Sequence, residues 1–164
     1  MGRRCNDEKI NVVNIRMVKE PSLYSTDKIK SPDDAYRVIA DELKTYDREV
    51  FAVLNLKANG QPINLNICSM GTLDTSVVSP REVFKSSILA NACAFIAVHN
   101  HPSGNLSPSQ EDREVTKRLL RCSELLGIKM LDHIIIAGET GRIYSFKSEG
   151  ELDRLRPTRD AWDR

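Results

Sequence analysis

The sequence has few of the features that mark secreted or membrane proteins. Its four cysteines include no C-x-x-C pair, so neither a disulfide framework nor a thiolate zinc site is expected. No apolar run approaches the roughly 20 residues that a membrane helix needs. The first residues lead into charge and not into an apolar signal segment. We therefore expect a cytoplasmic protein with no membrane partner.

An excess of charge of one sign is also lacking. Lys and Arg number 24 and Asp and Glu number 23, which gives a formal net charge of +1. Charge therefore gives no support for DNA as a partner, because DNA binding driven by the phosphate backbone needs a basic surface. With 40% hydrophobic and 29% charged residues, the 164-residue chain has an ordinary globular composition, which favours a single domain.

Hydrophobic patterns predict strands that alternate with helices. Residues 1–30 are expected to form an N-terminal strand and loop, and residues 147–164 a charged, solvated tail or exposed final helix, since ten of these eighteen residues are charged. Residues 99–106 are expected to form a loop because they are rich in Pro, Gly and Asn. The predicted strands cover residues 10–18, 50–56, 63–67, 92–98, 131–137 and 143–146.

Each of the three predicted helices begins with a capping signal. Ser31 precedes a proline at the first helical position, and this helix is expected to end near residue 45. Ser79 with Glu82 and Ser107 with Gln110 have the S-x-x-E/Q spacing of a capping box. The second helix is expected to end near residue 91 and the third before the glycine at position 127.

Histidine is scarce, so the positions of the three histidines are informative. His99 and His101 follow a predicted buried strand, the place where open α/β sheets bind ligands. If the backbone is still extended there, a spacing of two points both imidazoles to the same side. Asp112 lies eleven residues after His101 in the first turns of the third helix, and the Pro- and Gly-containing loop can fold it back towards them.

Two neutral imidazoles and a carboxylate form the protein ligand set of a catalytic zinc ion, whose fourth position is left to water. Such an ion lowers the pKa of bound water and polarises a carbonyl group. The alternative interpretation is that both histidines are polar loop residues or helix-capping partners. The combination of H-x-H-P with S-x-x-D in a chain with three histidines favours the metal.

These residues carry a resemblance to a known family. His99-x-His101-Pro102, followed after six residues by Ser109-x-x-Asp112, is similar to the JAMM motif of the JAB/MPN metallopeptidases. The resemblance to the RadC family, a bacterial branch of that group, implies an α/β fold of JAB/MPN type, similar to cytidine deaminases. A mixed sheet flanked by about three helices would then form one domain over residues 31–146. The segments that carry it are HNHPSG at 99–104, GTLDTSVVSPREVFK at 71–85 and LGIKMLDHIII at 126–136.

The resemblance implies that His99, His101 and Asp112 bind one Zn²⁺ per chain. It also implies that the hydroxyl of Ser109 helps to hold the oxyanion formed when a peptide carbonyl is attacked. Ser109 has an alternative explanation as a helix-capping residue, since it lies beside the predicted cap. His133 lies inside an apolar strand and is interpreted as a core histidine satisfied by a hydrogen bond, or at most as a partner of a ligand.

The family also uses an upstream glutamate that moves a proton from the activated water to the leaving amine. Two residues compete for this role. Glu82 is already explained by its capping box, whereas Glu49, directly before a predicted strand, has no such local role and is preferred. The alternative for Glu49 is a solvated charge in a polar turn beside Arg48.

Three functions follow as hypotheses. The first is a zinc-dependent metallopeptidase or isopeptidase that cleaves an amide bond in a peptide or protein of unknown identity. The second is a RadC-like accessory protein in DNA repair without protease activity, although the helix-hairpin-helix segment of fuller members is not visible in this sequence. The third is a non-catalytic scaffold, against which the intact ligand set argues.

Overall fold

The computed structural model describes residues 28–43, 46–71 and 78–157. The predicted strand at 10–18 and the end of the predicted tail, residues 158–164, lie outside the described residues. In chain order the elements are α1 (Pro32–Leu43), β1 (Val50–Leu56), β2 (Pro62–Met70), α2 (Pro80–Leu89), β3 (Ala94–His101), α3 (Gln110–Leu126), β4 (Lys129–Ala137), β5 (Arg142–Ser145) and α4 (Glu151–Leu155).

The five strands of the described residues form one mixed sheet in the order β2-β1-β3-β4-β5. β3 and β4 are parallel and are joined by α3, whereas the other neighbouring strands are antiparallel. Two parallel strands need a crossover connection, which here is α3. The chain leaves the carboxyl end of β3 and enters α3, so the end of β3 and the start of α3 lie close together. The predicted α/β fold class is confirmed.

The sheet has two buried faces, because successive side chains of a strand point to opposite sides. We call them the α3 face, which is covered by α2, α3 and α4, and the α1 face, which is covered by α1. Strand residues buried on the α3 face include Phe51, Val53, Phe95, Ala97, Met130 and Ile135. Those on the α1 face include Ala52, Leu54, Ile96, Val98, Ile134 and Ile136.

β4 contains one residue more than regular pairing with β3 requires. Phe95 pairs with Met130, but the next residue of β3, Ile96, pairs with Asp132. Leu131 is therefore the extra residue. Met130 before this shift and His133 after it both lie on the α3 face.

The helix starts confirm one capping prediction and correct two. The Ser31 hydroxyl accepts the N–H of Asp34, whose carboxylate accepts the N–H of Ser31 in return. The predicted box of Ser79 with Glu82 is wrong: Ser79 is the N-cap residue of α2, but its side chain makes no capping bond. The ammonium group of Lys85, one turn further on, pairs with the Glu82 carboxylate that the box would use.

The predicted box of Ser107 with Gln110 is also wrong. α3 begins two residues later, with Ser109 at the N-cap and Asp112 at the third helical position. Either a carboxylate or a glutamine amide can accept the N-cap N–H at that position, but only the carboxylate carries a charge that interacts favourably with the positive end of the helix dipole. Gln110 instead donates to Glu114.

Two further differences concern element ends. The predicted loop at 99–106 begins too early, because β3 runs through His101: its pairing with Ala137 of β4 holds that residue in the sheet. The charged segment after residue 146 contains α4, but Leu152 is 1% exposed and lies in the core of the α3 face. The expectation of a fully solvated segment is therefore wrong at Leu152.

No helix in the described ranges combines the length and the apolar character needed to span a membrane.

Candidate metal centre

The candidate site lies where β3 ends against the start of α3. His99 and His101 are two residues apart on β3 and therefore share the α3 face, while Asp112 lies in the first turn of α3. Their exposed fractions are 1%, 8% and 3%. One ligand atom from each lies within 4.8 Å of the others, the one such group found among the described residues.

The distances between these atoms suit a shared ion. His99 Nε2 lies 2.8 Å from His101 Nε2 and 3.1 Å from Asp112 Oδ1, and His101 Nε2 lies 3.7 Å from Asp112 Oδ2. Ligand atoms on a tetrahedral zinc, with bonds of about 2.0–2.1 Å, are roughly 3.3 Å apart. The observed separations lie around that value, so the donor set fits a zinc ion.

The imidazole of His101 is oriented by a backbone carbonyl group. His101 Nδ1 lies 2.6 Å from the carbonyl oxygen of Asn105. A carbonyl oxygen can only accept, so Nδ1 carries the proton and donates it. Nε2 is then free to bind a metal ion, the usual arrangement for a metal-ligating histidine.

Asp112 supplies the negative charge of the centre. Burial on its own raises the pKa of this carboxyl group, but hydrogen bonds from His99 and from Ser109 outweigh burial and hold the pKa well below its ordinary value. Asp112 is therefore ionised at neutral pH, as a metal ligand must be. No lysine or arginine of the described ranges pairs with it. A buried carboxylate whose basic neighbours in the described ranges are two imidazoles, and not a permanent cation, suits a site for a bound cation.

Comparison with known proteins assigns the family. The sequence model described as "RadC-like JAB domain" matches residues 29–151. This chain belongs to the RadC-like JAB domain family. The resemblance found in the motif and its two flanking segments is thereby confirmed.

Several curated relatives are similar to this JAB domain. A UPF0758 protein of Caldanaerobacter subterraneus is 45% identical over 125 residues, 76% of this chain and 53% of the relative. A UPF0758 protein of Methanosarcina mazei is 45% identical over 123 residues, 75% and 53% of the two chains. UPF0758 protein YsxA of Bacillus subtilis is 41% identical over 124 residues, again 76% and 53%. The chain thus spans about half the length of these relatives, and their names state no function.

In this JAB domain Ser109 has the structural role that the sequence left open. Its hydroxyl donates to Asp112 Oδ2 at 2.8 Å and accepts the N–H of Asp112 at 3.0 Å. Its own N–H donates to the same carboxylate oxygen at 2.7 Å. Ser109 therefore caps α3 and orients a predicted ligand, while its oxyanion role stays a prediction.

The loop before α3 is held by charged residues from two elements. Arg113 donates to the carbonyl oxygens of Pro108 at 2.7 Å and Ser109 at 3.2 Å. Arg113 also pairs with Glu151 of α4, which accepts the hydroxyl proton of Tyr144 at 2.7 Å. The short helix α4 thus helps to fix the backbone that presents Ser109.

Glu49, the predicted proton carrier, is half-buried and lies directly before β1. Phe51 pairs with His99 on β3, and the two rings stack with centroids 6.1 Å apart. The observed pairing of β1 with β3 ends at Phe51 and His99; continued by two residues, the same register would set Glu49 level with His101 on the α3 face. Its carboxylate is not in the converging group, and no described residue forms a hydrogen bond or ion pair with it. Glu82, by contrast, is paired on α2.

Asn100, between the two histidines, points to the other side of β3 and was not singled out by the motif. Its amide oxygen accepts the N–H of Val50 at 2.7 Å, and its amide nitrogen donates to the carbonyl oxygen of Arg48 at 3.0 Å. These two bonds clamp the backbone on both sides of Glu49. Strand alternation alone could have indicated that Asn100 faces away from His99 and His101, but not which segment it binds.

His133 and Thr116 complete the surroundings of the ligands. The sequence predicted His133 as a core histidine satisfied by a hydrogen bond, and it is fully buried with both ring nitrogens paired. Thr116 was missed. Its spacing of four from Asp112 puts both residues on one side of α3, and this was the available signal.

Proposed function

We propose that this JAB domain is a zinc-dependent hydrolase that cleaves an amide bond in a peptide or protein. The observation that carries the proposal is the convergence of His99, His101 and Asp112 within 4.8 Å in a buried site. Three protein ligands leave the fourth tetrahedral position open, as in catalytic and not structural zinc sites. When bound, Zn²⁺ supplies water that is acidic enough to react at neutral pH and a positive charge that polarises a carbonyl group.

Residues around the three ligands carry out proton transfer and stabilise the charge that develops on the substrate. Glu49 accepts the proton that the attacking water loses and returns it to the leaving amine nitrogen, which becomes a good leaving group only when protonated. The clamp from Asn100 supports this role because it fixes the backbone on both sides of Glu49.

Ser109 stabilises the negative charge that develops on the carbonyl oxygen. To do so, its hydroxyl must turn away from Asp112 Oδ2, to which it donates in this structure. The same oxygen keeps the hydrogen bond from the Ser109 backbone N–H, so the orientation of Asp112 does not depend on the hydroxyl alone.

The metal content of the purified chain tests the ligand set. We expect about one zinc per chain by elemental analysis, and loss of that zinc in His101→Ala and Asp112→Ala proteins that still fold. Ser107→Ala, on the exposed loop before α3, serves as the matched control and should keep its zinc. A folded wild-type chain that takes up no transition metal would overturn the proposal.

The two glutamates can be separated by a pair of variants. Peptide and isopeptide libraries incubated with the zinc-loaded protein would be analysed by mass spectrometry for cleaved amide bonds. Glu49→Gln should retain zinc and lose about 10²- to 10⁴-fold in turnover, the usual contribution of a general base. Glu82→Gln should keep turnover, since it loses only its pairing with Lys85. The opposite result would assign the proton transfer to Glu82.

A further inference from the structure

We propose that His133 and Thr116 are positioning residues that determine which nitrogen of His99 faces the metal ion. They form a buried chain of hydrogen bonds that joins His99 on β3 to the backbone of Asp112 on α3. The inference rests on the proposed metal centre but not on the reaction that the centre performs.

The chain consists of three short hydrogen bonds between buried groups. The Thr116 hydroxyl oxygen lies 2.6 Å from the carbonyl oxygen of Asp112 and 2.7 Å from His133 Nδ1. His133 Nε2 lies 2.9 Å from His99 Nδ1. Thr116 and His133 have no exposed surface and His99 is 1% exposed. Water therefore does not compete for these groups, and each donor must find its acceptor within the chain.

The direction of every proton follows from the carbonyl group at one end. The carbonyl oxygen of Asp112 only accepts, so the Thr116 hydroxyl donates to it and can only accept from His133. His133 Nδ1 therefore carries a proton. The ring is fully buried against Phe51 and Phe146, and its two nitrogens meet only a hydroxyl group and an imidazole, so a second proton would leave a buried positive charge without a counter-charge and Nε2 carries none. His133 Nε2 must then accept from His99 Nδ1. His99 Nε2 is left to hold either a proton shared with Asp112 or a metal ion.

Aromatic packing fixes the position of the His133 ring, which links Thr116 to His99 in this chain of hydrogen bonds. Phe146 stacks on His133 with centroids 4.9 Å apart and an interplanar angle of 10°, and Phe51 meets it edge-on at 5.5 Å. The stacking and the edge-on contact need an aromatic ring at position 133 but neither of its nitrogens. The packing of this ring therefore does not explain why position 133 has two nitrogens. The hydrogen bonds that orient His99 do explain them.

Zinc affinity of the metal-free protein tests the proposal. Each variant would be titrated with Zn²⁺ against a chromophoric chelator, at a temperature well below its own unfolding midpoint. His133→Phe keeps the ring and removes both nitrogens, and it should weaken zinc binding by about 10- to 100-fold, as loss of a hydrogen-bond partner of a ligand does. Thr116→Val should weaken binding less, and Thr116→Ser, which keeps the hydroxyl, should restore it.

Ser123→Ala is the matched control on the same helix. The buried Ser123 hydroxyl also donates to a backbone carbonyl group, that of Leu120 at 2.8 Å, but lies outside the chain. Ser123→Ala should lower stability without changing zinc affinity. If the effect at Thr116 were only structural, Thr116→Val and Ser123→Ala would bind zinc equally well.

A second readout needs no metal. Nitrogen-15 NMR of the metal-free protein at mildly alkaline pH should show neutral His99 protonated on Nδ1 in the wild type and in Ser123→Ala. In His133→Phe and Thr116→Val, a larger fraction of His99 should be protonated on Nε2. Zinc affinity and tautomer both indistinguishable from wild type in these two variants would overturn the proposal. A wild-type chain that binds no ion would refute the metal centre, while the NMR result would still decide the role of His133.

Discussion

The two faces of the sheet use the same strands but bury different chemistry. Strand and helix residues in the core of the α1 face are aliphatic, with Ile39 and Leu54 among the fully buried side chains. The α3 face combines an aromatic and aliphatic core with His99, His133 and the polar start of α3. Its buried polar groups are hydrogen-bonded to one another, and no buried side-chain nitrogen or oxygen of the described residues lacks a partner.

This difference shows how one small domain separates stability from chemistry. Aliphatic packing is non-directional, so the α1 face stabilises the fold wherever its side chains fill the space. The α3 face contains groups that are costly to bury unless each has a partner in the right direction. The α1 side has polar exceptions. Asn100 reaches from that side to the backbone around Glu49, and the Ser145 hydroxyl of β5 donates to the carboxylate of Asp132 in the neighbouring strand β4.

The largest expected effect on stability comes from the α1 face. Ile39→Ala removes a fully buried side chain of α1 and should lower the free energy of unfolding by about 2–5 kcal/mol, through lost burial and the cavity left behind. Urea denaturation of the metal-free wild type and Ile39→Ala proteins measures this difference in the free energy of unfolding. Arg37→Ala, on the exposed side of the same helix, should change stability by less than about 0.5 kcal/mol.

Zinc affinity of the folded Ile39→Ala protein should equal that of the wild type. If the zinc affinity of Ile39→Ala fell as far as that of His133→Phe, the two faces would be energetically coupled. The α1 face would then not serve stability alone.

An intermediate effect is expected where the α1 face contacts the site. Asn100→Ala leaves the N–H of Val50 and the carbonyl group of Arg48 without their partner, and should lower the free energy of unfolding by about 1–3 kcal/mol. Zinc should stay bound, because Asn100 does not face the ligands, while turnover should fall with the displacement of Glu49.

Asn100→Asp keeps an acceptor for the N–H of Val50 but puts a carboxylate oxygen against the carbonyl oxygen of Arg48. It should recover no stability at neutral pH and part of it in acid, where a protonated carboxyl group can donate. Loss of zinc from folded Asn100→Ala would contradict the assignment of Asn100 to the backbone of Glu49 and not to the ligands.

The smallest effect is expected at the edge of the α3 face. Glu151→Gln weakens the ion pair with Arg113 and should lower the free energy of unfolding by about 0.5–1 kcal/mol, since this pair is partly exposed. Burial on its own raises the pKa of Glu151. The hydrogen bonds from Tyr144 and Arg113 lower it by more than burial raises it, so the pKa lies below the ordinary value of 4.5.

A lowered pKa in the folded state means that the contribution of the carboxylate is present above pH 4.5 and is lost as the pH falls through the folded-state value. Denaturation curves of wild type and Glu151→Gln should therefore differ near neutral pH and converge in acid. A difference that grows in acid would show that Glu151 is stabilised in its protonated form.

Sequence patterns were sufficient for the features that depend on neighbouring residues. The α/β alternation follows from local hydrophobic periods, and the grouping of His99, His101 and Asp112 follows from spacing on one strand and one helix turn. Capping was predicted less well. Lys85 pairs with the Glu82 carboxylate that the S-x-x-E/Q pattern assigns to Ser79, and the capping box of α3 uses Ser109 with Asp112 in place of Ser107 with Gln110. The Asn100 clamp joins residues 50 and 52 positions apart, so no local pattern could predict it.

The extra residue in β4 has a consequence for how the site can change. Had pairing continued regularly from Met130, Asp132 would oppose Ala97 on the α3 face, and His133 would oppose Val98 among the aliphatic side chains of the α1 face. Because Leu131 lies outside the regular pairing, its deletion would leave His133 opposite Ala97 on the α3 face, whereas regular pairing of all the residues present would put a carboxylate beside His99. β4 can therefore lose one residue at this point without turning the imidazole away from His99, which a regularly paired strand could not do.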